Sequence, residues 1–406
     1  MTIYALVIEG GGQLKAQKGL YLSIIILYCV TYLALSYLIY VLSMKEGYGG
    51  LGLPLFGGGD DGVIYYQEAL NVANDRPALL TSIHALILGW IFKVLQTDEV
   101  FVLKVFNYLG SFLLIYVAIL ILRKNMVFEK YYFRSSIILI LLLLLYPSLL
   151  INLTMSIYRD VWIYLFFLWS TLLFSNLFIV RRRWPITINI ILLLFSIFML
   201  GSYRKYALLS FILASGLYLF FSSRKNDGLR IKKVIIICLI GFSFAYIFLR
   251  DTIIPYLNLS LQNVLNYRQF SIDAGGSQMG ISLDQPNILY FYFNYFYSFI
   301  SNTIGPLPWQ VNSVATLIVF LTESIVFVVI ILFLYKQRKL FSKLDIYLII
   351  QSLIWFMLIS ISNDNLGTAS RLRIVGWLPL IIVFSKYFGR HLFLRNHRKK
   401  ARGART

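Results

Sequence analysis

The chain has 406 residues, of which 59% are hydrophobic and only 13% charged, with a mean hydropathy of +0.76 and a formal net charge of +20. A soluble domain carries about 25% charged residues, so one large soluble core is excluded. The apolar residues fall in blocks of about 18 or more without two-residue alternation, and in lipid the backbone must satisfy itself, so spanning helices are expected over a β-barrel.

Taken in chain order, hydropathy predicts spans near 19–43, 99–122, 134–154, 160–180, 185–202, 206–222, 233–250, 312–335, 345–362 and 374–389. The expected fold is therefore all-α and polytopic, a single membrane domain over 1–406 with about ten transmembrane helices plus interfacial helices on the outer face. Lys15 and Lys18 precede the first block and no small-residue cleavage site follows it, which favours a retained helix over a signal peptide. A first outer loop, 44–98, runs from the glycine-rich stretch Gly49–Gly59 into Asp60-Asp61 and a predicted helix from Val63 to Leu70, which Pro77 ends. An eleventh apolar block, 77–95, carries His84 and Lys93. A charge at mid-bilayer costs about 2.5–3.5 kcal/mol, so this block is read as lying on the surface. A second outer loop, 251–311, is polar up to Pro286 and then aromatic from Tyr290 to Tyr297, which suits a helix at headgroup level.

With ten crossings, 26 of the 37 Lys and Arg collect on one side, including Arg181-Arg182-Arg183 and the basic tail 390–406. The positive-inside rule makes that side the cytoplasm, with both termini there, as expected of a multi-pass protein of the plasma (inner) membrane. The net charge is then a cytoplasmic collar against anionic lipid, and no nucleic acid need be invoked. Cys29 and Cys238 lie in separate apolar spans and read as small hydrophobic fillers.

The acidic residues are distributed oppositely, with 12 of 17 on the outer side. Asp60 and Asp61, adjacent at the end of the glycine run, suit a general base or a metal ligand, although an N-cap for the following helix is the plainer reading of either one. No Gly-Lys-Ser/Thr follows the glycines, so they are not a phosphate loop. Three outer hairpin tips each carry basic residues: Arg159-Asp160, Arg204-Lys205 flanked by Tyr203 and Tyr206, and Arg371 with Arg373 after Asp364. One such tip is ordinary snorkelling. Three together, on the side that topology keeps poor in cations, point to an anion site in which guanidiniums grip phosphate. Glu323 is the ionisable residue well inside a span, and His84 is a further candidate on the surface block.

This layout resembles the GT-C superfamily of integral membrane glycosyltransferases. The features that carry the resemblance are the first-loop acids with the following Tyr65-Tyr66 and Ala69, the stretch from Pro147 to Arg159-Asp160, and the closing Arg371-Leu-Arg373-Ile-Val-Gly-Trp-Leu-Pro379. These segments are also similar to bacterial exopolysaccharide repeat-unit polymerases of the Wzy and EpsG type. Many superfamily members end in a soluble domain that has no counterpart here, while the second long loop is more typical of the polymerases. The resemblance implies transfer of a sugar or oligosaccharide from a polyprenyl-phosphate or polyprenyl-pyrophosphate carrier to a glycan acceptor, in cell-envelope polysaccharide synthesis. It implies that Asp60 or Asp61 deprotonates the acceptor and that Arg159, Arg204, Lys205, Arg371 and Arg373 hold the lipid phosphate, with Asp160, Tyr203, His84, Glu323 and Asp364 as further candidates. No cofactor is required, and a divalent metal at Asp60/Asp61 is optional. The competing reading is a flippase for the same lipid-linked saccharides.

Overall fold

The computed structural model describes residues 2–53, 61–78, 80, 82–126, 131–179, 185–222, 228–255, 258, 260–273 and 277–403. Among these the chain is helical, with no strand and an isolated antiparallel bridge between Gln278 and Asn365. Seven helices are long and apolar enough to cross a membrane: Gln17–Lys45 within α1 (Thr2–Lys45), α4 (Val100–Asn125), α7 (Asp160–Phe178), α8 (Ile186–Tyr203), Val314–Leu340, α15 (Lys343–Ser362) and Leu366–Asn396 within α16 (Leu366–Gly403). The chain is thus an all-α protein with the helices of a multi-pass membrane protein.

The other three predicted spans take different forms. The one near 134–154 is bent by 65° into α5 (Tyr132–Leu144) and α6 (Pro147–Thr154), which makes an eighth span if the pair crosses as one. Pro147 explains the break, since its ring disfavours helical geometry at Tyr146 and it has no N–H to continue the ladder. The predictions at 206–222 and 233–250 correspond to shorter apolar helices, α9 (Lys205–Ser222) and α10 (Gly228–Phe248). Val314–Leu340 is continuous but uneven. Between α13 (Val314–Val319) and α14 (Ile325–Gln337) it opens into a π-turn at Phe320–Ser324, which holds Glu323.

Helix α8 shows what solvent the fold expects. Its exposed stripe is Ile188, Ile191, Leu194 and Phe198, whereas Asn189 and Ser196 are buried. Ser196 exchanges a hydrogen bond with Ser170 of α7 at 2.8 Å, and Asn176 of α7 donates to Asn189 at 3.3 Å. Apolar groups outside and polar contacts between helices are the pattern of a lipid-facing bundle.

The eleventh apolar block forms α3 (Ile83–Leu95), packed on α2 (Asp61–Ala73). At 13 residues it is roughly 20 Å long, against a hydrocarbon core of about 30 Å, so it cannot cross unaided. Its Lys93 pairs with Asp75 at 2.6 Å. The aromatic run forms α12 (Ile288–Ile304), which buries Phe291, Tyr295, Ser298 and Asn302 against α10 and α15 and leaves Leu289, Tyr290, Phe293 and Phe296 exposed.

Candidate functional site

Four charged residues from distant parts of the chain meet at one end of the bundle. Asp160 opens α7, Asp61 opens α2, Arg204 lies between α8 and α9, and Arg371 is in the second turn of α16. Asp160 is only 2% exposed. Arg204 Nη1 donates to its Oδ1 at 3.3 Å, and Arg371 Nε lies 3.4 Å from its Oδ2. Arg371 Nη1 also reaches Asp61 Oδ2 at 2.9 Å. One buried carboxylate therefore holds two guanidiniums side by side, and the second, more exposed carboxylate takes the outer edge of Arg371.

The backbone around Asp160 is held by side-chain donors from α3 and α4. Lys104 Nζ donates to the Met155 carbonyl at 2.9 Å, Asn107 Nδ2 to the Tyr158 carbonyl at 2.9 Å, and His84 Nε2 lies 2.9 Å from the Ile157 carbonyl. On α16, Tyr164 donates to the Arg371 carbonyl at 2.9 Å and Trp355 to the Leu372 carbonyl at 2.8 Å. The polar centre thus rests on positions that packing already fixes, the condition for a preorganised site.

Each arginine also lies over an aromatic ring: Arg159 over Tyr65 at 5.7 Å, Arg204 over Tyr206 at 5.0 Å and Arg371 over Tyr158 at 5.5 Å. Such faces favour a cation that has lost water. Burial works against the Arg204 charge, but Tyr206 and Asp160 outweigh it and its pKa is raised, so the group stays protonated. Burial pushes the Tyr65 phenol up to about 12 and the His84 imidazole down to about 4, so both are neutral at neutral pH.

Four buried polar atoms here have no hydrogen-bond partner among the described residues, Arg159 Nε, Arg204 Nε, Tyr203 Oη and His84 Nδ1, and Arg371 Nε has only its 3.4 Å ion-pair contact to Asp160. Native interiors rarely leave such groups unpaired, and several in one place mark a spot that a bound ligand or ordered water fills. Three guanidiniums against the two carboxylates Asp61 and Asp160 give the described part of the site an excess of positive charge and of N–H donors. The arrangement can hold an anion with several oxygens.

The remaining candidates are placed as follows. Asp60 lies outside the described residues, and with it the N-cap of α2 and the acidic pair as a metal site. Lys205 is exposed at the first position of α9. Arg373 corrects the expectation that it shares a ligand with Arg371. Two residues along a helix turn the side chain by about 200°, and Arg373 is buried in a salt bridge to Glu323 at 2.5 Å while also donating to the Gly305 carbonyl. The other Glu323 oxygen accepts the Ser148 N–H at 2.6 Å, at the free start of α6. Glu323 is therefore a structural group that ties the π-turn to α16 and α6. Asp364 also lies in another cluster, paired with the buried Arg268 at 2.6 Å and accepting the amides of Gly280 and Ile281. Burial raises its pKa despite Arg268. Sequence reasoning missed Arg268, a lone arginine in a polar loop with nothing around it to flag burial. It also missed Tyr158, whose ring under Arg371 depends on the α6–α7 turn.

The chain matches no family model, no curated protein and no solved structure.

Proposed function

We propose that the chain is a GT-C-type membrane glycosyltransferase, moving a sugar or oligosaccharide from a polyprenyl-phosphate or polyprenyl-pyrophosphate carrier to a glycan acceptor at the outer face. The observation that supports this is the meeting of Arg159, Arg204 and Arg371 around Asp160, with unpaired N–H donors and Asp61 beside them. In this reading the seven long helices, the bent α5–α6 pair, α9 and α10 make ten crossings. The positive-inside rule then puts the cluster outside and both termini in the cytoplasm.

The chemistry assigns each group one task. The acceptor hydroxyl oxygen forms a bond to the anomeric carbon as the bond from that carbon to the phosphate oxygen breaks. The electron pair leaves with the lipid phosphate, whose growing charge falls on the guanidiniums, and stabilising charge where it develops is usually the largest catalytic contribution. The acceptor proton passes to Asp61 or Asp60. Arg371 links the two events: a phosphate that takes its Nη1 displaces Asp61 and frees that carboxylate to act as base. Asp160 keeps Arg204 and Arg371 in register throughout.

Replacing Asp60, Asp61, Arg204 or Arg371 singly by Ala is expected to abolish glycan assembly while membrane insertion stays normal. Unchanged product from all four variants would remove the catalytic assignment.

A further inference from the structure

We propose that His84 is a recognition residue for a substrate hydroxyl, with its Nδ1 as the accepting atom beside the arginine cluster; this rests on the phosphate-site reading above. The tautomer of His84 is fixed by one hydrogen bond. His84 Nε2 lies 2.9 Å from the Ile157 carbonyl. A carbonyl oxygen only accepts, so Nε2 carries the proton and donates. In a neutral imidazole the other nitrogen is then a bare lone pair. That nitrogen, Nδ1, is buried in a residue with 0% exposure and has no partner among the described residues. The neutral form is the stable one here, because burial lowers the imidazole pKa to about 4.

The ring is fixed in place. Ser82 caps α3 by accepting the His84 N–H, which sets His84 in the first turn. The imidazole meets Tyr65 edge-on, with centroids 5.3 Å apart, and Tyr203 at 5.8 Å. These two rings border the cationic cluster: Tyr65 lies under Arg159, and Tyr203 directly precedes Arg204. The Tyr203 hydroxyl is buried and unpaired as well.

The unpaired atoms thus fall into two chemistries. The Arg159 and Arg204 Nε groups are charged donors and require an acceptor, which phosphate oxygens supply. His84 Nδ1 is an acceptor and requires a donor, which a phosphate dianion cannot supply. A ligand that satisfies both carries a phosphate and a hydroxyl close together, as a glycosyl phosphate does. His84 would then distinguish the sugar-bearing lipid from the bare phosphate product, a useful bias for release.

The test separates the two ring nitrogens. His84→Gln can keep the donor to the Ile157 carbonyl but removes the acceptor at Nδ1. His84→Asn can place an oxygen near Nδ1 but loses the donor to Ile157. The probes are inorganic pyrophosphate and a panel of hexose 1-phosphates, titrated calorimetrically against the purified chain in detergent, with melting temperature followed in parallel. Wild type should bind at least one hexose 1-phosphate more tightly than His84→Gln does, by about tenfold. His84→Gln should melt like wild type and keep its pyrophosphate affinity within about twofold. His84→Asn should melt lower yet retain more of the hexose preference. Equal hexose affinities in wild type and His84→Gln, with pyrophosphate still bound, would overturn the role of His84 and leave the phosphate site standing. No binding of either probe by wild type would overturn the phosphate site, and this inference with it.

Discussion

Asp160 is the residue on which the cluster turns, because among the described residues it alone pairs with both Arg204 and Arg371 from a buried position. Removing one member of a buried ion group leaves the others uncompensated, a loss of about 3–5 kcal/mol. Asp160→Ala should therefore lower the melting temperature as well as abolish product, whereas Asp61→Ala, at the exposed edge, should spare stability. Equal melting of the two variants would contradict the central placement of Asp160. The Arg373–Glu323 pair gives the opposite expectation for function. Arg373→Ala or Glu323→Ala should destabilise by about 3–5 kcal/mol, while the double replacement Arg373→Met with Glu323→Leu should recover most of the loss in a thermal-melt cycle. His84 sets a pH dependence. Its pKa is lowered to about 4 by burial, from an ordinary value of 6.5. Below pH 6.5 the unfolded chain takes up a proton that the folded chain refuses, so stability is full above that pH and falls as pH drops toward 4. Melting temperatures of wild type and His84→Gln should agree at pH 7 and separate as pH falls to 4, wild type losing stability that the non-titrating variant keeps. At this scale the sequence was informative in singling out Arg159, Arg204 and Arg371 at separate hairpin tips, which the fold brings together around Asp160. It misled where neighbours in sequence were taken as neighbours in space: Arg371 and Arg373 differ by two positions and face opposite sides of α16.

Among the elements, α2 carries Asp61, and its seat on α3 depends on a missing side chain. A Cβ on Gly89 would lie 2.5 Å from Val72 Cβ and 2.8 Å from the Ala69 carbonyl. Gly89→Ala must push the two helices apart, at a cost of about 1–3 kcal/mol. It should reduce activity by shifting Asp61 relative to Arg371, with the Arg204–Asp160 contact undisturbed. A fully active, wild-type-melting Gly89→Ala would mean that α2 is not held by this approach. The element pattern was legible in that each of the ten apolar blocks is helical, although only seven of them are single helices long and apolar enough to cross a membrane. The differences have local causes. Pro147 bends α5 against α6, and the π-turn at Phe320–Ser324 follows from a tertiary need, the reach of Glu323 to both Arg373 and Ser148, that no periodicity records.

For the whole molecule, the fold has two polar ends, and the proposed activity requires a definite one to face outward. The end opposite the arginine cluster is tied by Lys386 to Asp345 at 2.7 Å and by Asn125 to Asp345 at 2.5 Å, which joins α4, α15 and α16. In a background with Cys29 and Cys238 replaced, Lys205→Cys should react with an impermeant maleimide in intact cells, and Lys343→Cys only after permeabilisation. The reverse pattern would put the site in the cytoplasm and exclude an outer-leaflet donor. The most direct measurement is a mass-resolved assay of the purified chain in liposomes with polyprenyl-linked saccharides, beside its Arg371→Ala variant. A transferase gives products heavier by one sugar or by whole repeat units, absent from the variant. Unchanged masses in both, with lipid-linked saccharide moved only between leaflets, would contradict the transferase and identify a flippase.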